Sequence, residues 1–337
     1  MKTSAAVLAL VLPALGASSA PEGFDAFWEG VRTEAAAADV AAAARVPLAS
    51  VPASGFDALG AGQASFSFEL PVPGGNSASG YVVIPRNVPP GGLPLVAVFA
   101  GYADSDPTPT PRHPLWGLQG AIVAHLTTHG FPLWRDRAFY AAESDRISAG
   151  GNGGAFGFAN AENESPETSY FRRIAVRDLA ALRFLESLPA WDGKGLSLLG
   201  AHLGAWRAAA AAANDGAATG IAVWNPWLCN LGPDGGPRGW LPEWRPGLAF
   251  FDGAFLAAKV DVPCAIVEAS ADSAVNPPEG AALFHDSLAG PKSISWVRGS
   301  RSGAQRVPGP GAAAKALGAL GALGAPVPAA AARAAGR

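Results

Sequence analysis

Residues 170–206 carry the most regular pattern of the chain and decide its fold class: YFRRIAVRDLAALRFLESLPAWDGKGLSLLGAHLGAW. The first part predicts a helix over Tyr170–Leu188, because apolar residues recur on one face at helical spacing: Ile174, Leu179, Leu182 and Leu185. A short apolar strand, Gly195–Leu199, follows, and after a glycine-flanked turn a second helix is predicted over Gly204–Asn214. Helix, buried strand, tight turn and helix in this order are typical of an α/β domain.

The turn between that strand and that helix is Gly200-Ala201-His202-Leu203-Gly204. Glycines at this spacing allow a tight, strained turn that lifts the central side chain above the sheet, as in the G-x-S-x-G nucleophile elbow. The central residue here is His202, where that motif has serine. G-x-H-x-G is a weak motif by itself, and its position between a buried strand and a helix is what strengthens it.

Apolar runs bounded by Gly and Pro alternate with helical patterns in the rest of the chain. The predicted strands are Ala64–Leu70, Gly80–Ile84, Leu93–Phe99, Ile221–Trp224 and Cys264–Glu268, and further helices are predicted over Pro21–Arg45 and Pro278–Leu288. Gly120–Leu126 fits a strand or a buried helical turn, and Glu143–Ser169 has the composition of a long surface loop. Strands that alternate with helices predict βαβ units and a mostly parallel sheet.

Several segments resemble, in the same order, the acetyl xylan esterase and cephalosporin-C deacetylase family. Besides residues 170–206 they are FDAFW (24–28), ASGYVVIPRN (78–87), VAVFAGY (96–102), THGFPL (128–133), NPWLCN (225–230) and ADSAVNPPEGAALFHDSLAGPK (271–292). The resemblance extends from about Pro21 to Trp296. It implies an α/β-hydrolase three-layer sandwich, with a mostly parallel central sheet and helices on both faces. It also implies a carboxylic-ester hydrolase that removes acetyl groups from carbohydrates.

The resemblance assigns site residues one at a time. His202 stands at the nucleophile position, and Asp272 matches the aspartate of the catalytic triad. Ser302, in RGSRSG, stands where the triad histidine is expected, and no histidine follows it in the chain. Tyr102 and Leu203 match the two residues whose backbone N–H groups form the oxyanion hole. A leucine side chain does not remove a backbone donor, so the hole is expected to persist.

Two of the three triad side chains are therefore absent from their expected positions. A serine hydroxyl needs a base to become a nucleophile, and the base needs an orienting carboxylate. A hole and substrate binding alone leave about 10³-fold acceleration over water. Three hypotheses follow: a deacetylase with weak or altered activity, a non-catalytic protein that binds acetylated sugars, and a non-functional remnant. His202 acting as an imidazole nucleophile on activated esters is a further alternative.

The chain is long enough for one large α/β domain or two small ones, and its composition argues against a nucleic-acid-binding protein. The 337 residues are 49% apolar and 15% charged, with a net charge of −3 and no basic stripe. Lys2, the apolar run Ala5–Leu15 and the small residues up to Ala20 predict a signal peptide over residues 1–20, hence export to the periplasm or the medium without a membrane anchor. The folded domain is expected over 21–303, followed by a low-complexity Ala/Gly/Pro-rich tail over 304–337.

Aromatic residues near strand ends are candidates for binding sugar rings. The chain has ten tryptophans. Trp224 ends a predicted strand and Trp227 comes shortly after it, at the edge where α/β sites form. Ordinary core packing is the alternative. The expected ligand is an acetylated carbohydrate or a small acetyl ester, and a homo-oligomer is possible.

The remaining histidines and the two cysteines suggest no cofactor or metal. His125 and His129 are four residues apart, but no acidic residue accompanies them, so a structural role along or after a strand is favoured. His113, after a Pro/Thr-rich loop, is a weak candidate for a substitute base, and His285 is predicted on a helix. Cys229 and Cys264 are expected to be free thiols.

Overall fold

The computed structural model describes residues 19–48, 65–74, 76–102, 120–149, 160–229, 231, 244–270 and 277–297. The predictions for the signal peptide, for the C-terminal tail, and for Asp272, Ser302 and His113 concern positions outside these residues.

One sheet of nine strands and six α-helices make up the described fold. The strands are β1 (Ala44–Pro47), β2 (Phe66–Val72), β3 (Asn76–Val83), β4 (Leu93–Phe99), β5 (Ile122–Leu126), β6 (Trp191–Ala201), β7 (Gly220–Trp224), β8 (Cys264–Ala269) and β9 (Lys292–Val297). The helices are α1 (Phe24–Ala36), α2 (Arg137–Ala149), α3 (Tyr170–Glu186), α4 (Leu203–Asn214), α5 (Gly253–Ala257) and α6 (Pro278–Ser287).

The strand order is β1-β2-β3-β5-β4-β6-β7-β8-β9. The three pairings from β1 to β5 are antiparallel, and the five pairings from β5 to β9 are parallel. The predicted α/β class with a mostly parallel sheet is confirmed. Phe99 at the end of β4 lies opposite Gly200 on β6, so the segments that follow these two strands leave the sheet side by side.

Each face of the sheet carries its own core. On one face α3 and α4 pack against the central strands, and α3 buries Ile174, Leu182 and Leu185 completely. Ser169 caps this helix by accepting a hydrogen bond from the N–H of Phe171. The other face buries a separate cluster that includes Tyr81, Val98, Leu199 and Trp224. The central strands are apolar on both faces, which explains their continuous apolar runs.

Two predicted segments differ from the structure. The helix expected over Pro21–Arg45 ends at Ala36, because residues 44–47 pair with β2 as an edge strand, and pairing between distant segments overrides the helix propensity of the alanines. The loop expected over Glu143–Ser169 is helical up to Ala149, where the Gly/Asn-rich composition begins. The ambiguous segment Gly120–Leu126 contains strand β5, which is paired on both sides.

Helix α1 packs through aromatic rings on the segment before α5. Trp28 donates a hydrogen bond to the carbonyl of Phe250, and Phe27 contacts the rings of Phe250 and Phe251. The part of the chain that the structure describes includes no helix of the length and hydropathy needed to cross a bilayer.

Candidate active site

His202 occupies a strained turn directly after β6. Its backbone has φ 55° and ψ −117°, a combination that non-glycine residues rarely adopt. Its N–H donates to the carbonyl of Trp224 on β7, at 2.9 Å, and its own carbonyl accepts the N–H of Ala205, at 3.0 Å. Helix α4 begins at the next residue, Leu203. The side chain is half-buried, and it is held at the carboxyl edge of the sheet, as the sequence predicted.

The two glycines of this turn are required by close backbone contacts. A Cβ atom on Gly200 would lie 2.0 Å from the carbonyl oxygen of Gly204, inside the turn itself. A Cβ atom on Gly204 would lie 2.3 Å from the carbonyl oxygen of Phe99. The elbow is therefore packed directly on the end of β4. A side chain at Gly204 would push the elbow away from β4, and a side chain at Gly200 would clash with the first turn of α4.

Ala100, Gly101 and Tyr102 follow β4 next to the elbow. A Cβ atom added to Gly101 would lie 3.8 Å from the carbonyl oxygen of Ala201, so this segment runs close to the end of β6. Tyr102 and Leu203 each stand three residues after the paired positions Phe99 and Gly200. The structure thus brings the two segments predicted to form the oxyanion hole to neighbouring places on one sheet edge.

Strain is concentrated at this same edge. Among the described residues, four non-glycine residues have positive φ: Trp134, His202, Asn225 and Leu228. All four follow the carboxyl ends of β5, β6 or β7. Backbone strain persists only where the surrounding structure enforces it, and it clusters at functional sites. Its distribution supports the carboxyl edge as the functional edge of this sheet, which is also where ligands bind in open α/β folds.

His129 is engaged at both ring nitrogens. Nε2 lies 2.9 Å from the carbonyl oxygen of Tyr102, and Nδ1 contacts the hydroxyl of Tyr170. A carbonyl only accepts, so Nε2 carries the proton and Nδ1 accepts from Tyr170. Burial lowers the pKa of His129 to about 4, so the ring is neutral near pH 7. The predicted structural role of His129 is confirmed by these contacts, which leave no nitrogen for a catalytic base.

His125 lies on β5, and burial together with the charge of Arg207 lowers its pKa to about 4. Its position along a strand is confirmed. His285 lies on α6 beside Asp286.

Within the described ranges, no group of three or more His, Cys, Asp or Glu side chains is arranged to hold a metal ion. Cys229 and Cys264 are buried free thiols, and burial raises the pKa of each.

Trp224 and Trp227 are both in the core. Trp224 is 4% exposed and Trp227 is 2% exposed, which leaves almost no indole surface for stacking on a sugar. Their predicted role in substrate binding gains no support from this burial, which fits the packing alternative better.

A cavity of about 490 Å³ lies elsewhere, between the start of α1 and helices α5 and α6, and none of the predicted site residues lines it.

A buried ion pair behind the loop Ala100–Tyr102 was not anticipated from the sequence. The guanidinium of Arg207 on α4 is fully buried and pairs with both carboxylate oxygens of Asp178 on α3, at 2.9 and 2.6 Å. It also donates to the carbonyls of Ala100 and Thr127, both at 2.8 Å. The available signal was a single arginine in an otherwise apolar, alanine-rich helix, because such a cation is buried only with a partner.

The parallel sheet, the crossover helices and the strained elbow between β6 and α4 define an α/β-hydrolase-fold protein. The acetyl xylan esterase family model matches residues 6–232, about two thirds of the chain. The chain belongs to the acetyl xylan esterase family, a family of carboxylic-ester hydrolases.

Solved structures agree with this assignment at the level of the fold. An acetyl xylan esterase from Paenibacillus sp. R4 superposes with a TM-score of 0.69 and 20% identity, covering 90% of this chain and 96% of the other. Acetyl xylan esterase 1 from Thermoanaerobacterium sp. JW/SL YS485 gives a TM-score of 0.68 and 15% identity, covering 89% and 94%. No curated protein sequence matches the chain.

Proposed function

We propose that this protein is exported and retains the acetyl-ester site of its family but hydrolyses acetylated carbohydrates weakly or not at all. The observation that carries the proposal is the imidazole of His202 on the elbow, where the chemistry of the family needs a hydroxyl. An imidazole forms acyl intermediates from esters with good leaving groups, whereas a sugar alkoxide is a poor leaving group. A base is also lacking, because Ser302 stands at the position of the triad histidine.

We expect the protein to bind the acetyl group even though it lacks the side chains needed for turnover. The backbone of Ala100–Tyr102 is held in place by side-chain hydrogen bonds, and Leu203 keeps its backbone N–H at the first position of α4. The backbone N–H groups of Tyr102 and Leu203 do not depend on the side chain at position 202. Acetylated xylo-oligosaccharides are therefore the ligands that we expect the protein to bind.

The first test is hydrolysis of p-nitrophenyl acetate by the purified protein. Because nucleophile and base are both replaced, the rate should not exceed that of denatured protein supplemented with an equal concentration of imidazole. A turnover number above about 1 s⁻¹, the low end for ordinary enzymes, would contradict this expectation, and the same turnover number on acetylated xylo-oligosaccharides would contradict the proposal. Calorimetry with acetylated and deacetylated xylo-oligosaccharides separates a binder, which prefers the acetylated form, from a remnant that binds neither.

The second test restores the triad in steps. His202→Ser returns the hydroxyl without a base, so it should remain almost inactive. Adding Ser302→His should then give more activity on acetylated sugars than the two single variants together, because triad residues act as a unit. His285→Ser, the same change on the surface of α6, is the matched control. Equal activity of His202→Ser and the double variant would show that Ser302 is not the vacant histidine position.

A further inference from the structure

The three carbonyl groups that follow β4 are each held by a side chain from the adjacent elements. The carbonyl of Ala100 accepts from Arg207 at 2.8 Å and lies 3.0 Å from the hydroxyl of Thr128. The carbonyl of Gly101 lies 2.9 Å from the same hydroxyl, and the carbonyl of Tyr102 accepts from His129 at 2.9 Å. The backbone next to the elbow is therefore fixed peptide by peptide.

Thr128 has the central place in this arrangement. Its side chain is fully buried, and its oxygen accepts a hydrogen bond from Arg207, at 2.9 Å. The single hydroxyl proton is thereby directed to the carbonyls of Ala100 and Gly101, of which Gly101 is the nearer. In a planar trans peptide the C=O and N–H point in opposite directions. Holding the Gly101 carbonyl toward Thr128 turns the N–H of Tyr102 away from Thr128.

Positive charge stands behind the same peptide. Arg207 donates to the hydroxyl of Thr128, and Arg177 donates to the carbonyl of Thr128 at 2.8 Å. Among the described residues, Asp178 is the carboxylate that pairs with Arg207. The charges of both arginines contribute to the lowered pKa of His129, and that of Arg207 to the lowered pKa of His125, so their field reaches this region. Hydrogen bonds in a chain polarise one another in a buried environment. A carbonyl that accepts from such a chain makes the N–H of the same peptide a stronger donor.

We propose that Thr128 is a positioning residue for the oxyanion hole, through which buried Arg207 orients and polarises the Gly101–Tyr102 peptide toward a bound oxyanion. This inference rests on the proposed function in one respect, namely that the site still binds the acetyl group. Thr128 itself does not touch the ligand. Its contribution passes through the N–H of Tyr102, which makes that amide the place to measure it.

The experiment uses the full chain labelled with ¹⁵N-tyrosine. Because the chain has only four tyrosines, its amide spectrum has at most four signals. Tyr102→Phe removes one amide signal and so assigns it. Thr128→Val removes the hydroxyl at nearly constant shape, and Thr128→Ser keeps it. Thr127→Val is the matched control, because Thr127 precedes Thr128 and its buried hydroxyl bonds to Ser79, on the β3 side. Methylphosphonate, a tetrahedral oxyanion, is the probe for the hole.

In Thr128→Val the Tyr102 signal should move more than the other three, and methylphosphonate affinity should fall about 3- to 10-fold, as for loss of one hydrogen bond. Thr128→Ser and Thr127→Val should keep the Tyr102 signal and the affinity near those of the wild type. If Thr128→Val does not fold, Thr128→Ala against Thr128→Ser gives the same comparison. Equal shifts of Tyr102 in the Thr128→Val and Thr127→Val variants would overturn the inference, as would an unchanged affinity in Thr128→Val. A wild type that binds no methylphosphonate would contradict the proposed function instead, and the Tyr102 shift would still decide the orientation of the peptide.

Discussion

At the scale of single residues, His202 combines an unfavourable backbone with a side chain that differs from the motif. The elbow geometry is kept although histidine gains nothing from φ 55° and ψ −117°. The turn is closely packed, since at Gly200 and Gly204 the backbone approaches the carbonyl groups of Gly204 and Phe99 so closely that no Cβ atom fits. Strain of this kind costs about 1–3 kcal/mol per residue. The backbone geometry of the elbow is therefore set by the surrounding residues and does not depend on which side chain stands at position 202.

Replacing His202 with glycine should therefore stabilise the protein relative to His202→Ala. Both variants lack the imidazole, but only glycine adopts positive φ without a Cβ clash. The free energy of unfolding of His202→Gly should exceed that of His202→Ala by about 1 kcal/mol, measured by denaturant unfolding. If the free energy of unfolding of His202→Ala equals or exceeds that of His202→Gly, the backbone at position 202 is not strained.

At the scale of elements, the ion pair between Arg207 and Asp178 joins four parts of the fold. It links α3 to α4 and, through backbone carbonyls, to the ends of β4 and β5. Both side chains are buried away from water, so the charge of each is stabilised by the opposite charge of the other. The ring of Phe99, 5.1 Å from the guanidinium carbon, completes the enclosure. This contact fixes the position of α4 relative to the loop after β4, and so the spacing between elbow and loop.

Breaking this pair should be far more costly than breaking a surface pair. Arg207→Met should lower the free energy of unfolding by about 3–5 kcal/mol, because it leaves the buried carboxyl group of Asp178 without its partner. The double variant Arg207→Met, Asp178→Leu should be destabilised by less than the sum of the two single changes. Lys259→Met removes the exposed pair with Asp25 and should cost less than about 1 kcal/mol. Strict additivity in the double-mutant cycle would show that the two side chains are not coupled.

At the scale of the whole molecule, the histidines that pack behind the site make folding dependent on pH. His125 and His129 have a pKa of about 4 in the folded state, against about 6.5 in an unfolded chain. Tyr102, Tyr170, Arg177 and Arg207 surround His129, and none of them is a carboxylate that would favour its charged form. Glu186 at the end of α3 acts in the opposite direction, since burial and Asp215 raise its pKa to about 8.

Stability should therefore rise from pH 4.5 to 6.5. In this window the unfolded chain binds up to two more protons on His125 and His129, and half-buried Glu186 offsets part of this difference. The expected slope of the unfolding free energy is about 1–2 kcal/mol per pH unit, from denaturant titrations at several pH values. His125→Gln should lower the slope, because it removes one of the two groups that bind more protons in the unfolded chain. A flat profile in the wild type would mean that both rings protonate in the folded state as they do in the unfolded one.

The sequence by itself determined the helix, strand, elbow and helix over residues 170–214, because each depends on local periodicity and on two glycines. It also determined the family and the presence of His202 at the nucleophile position. Only the tertiary structure decided that residues 44–47 form an edge strand, that Trp224 and Trp227 are buried, and that Thr128, His129 and Arg207 hold the loop after β4. Those contacts join residues 27 to 107 positions apart in sequence. Local pattern carries no information about such distances, which are set by how strands pair and helices pack on them.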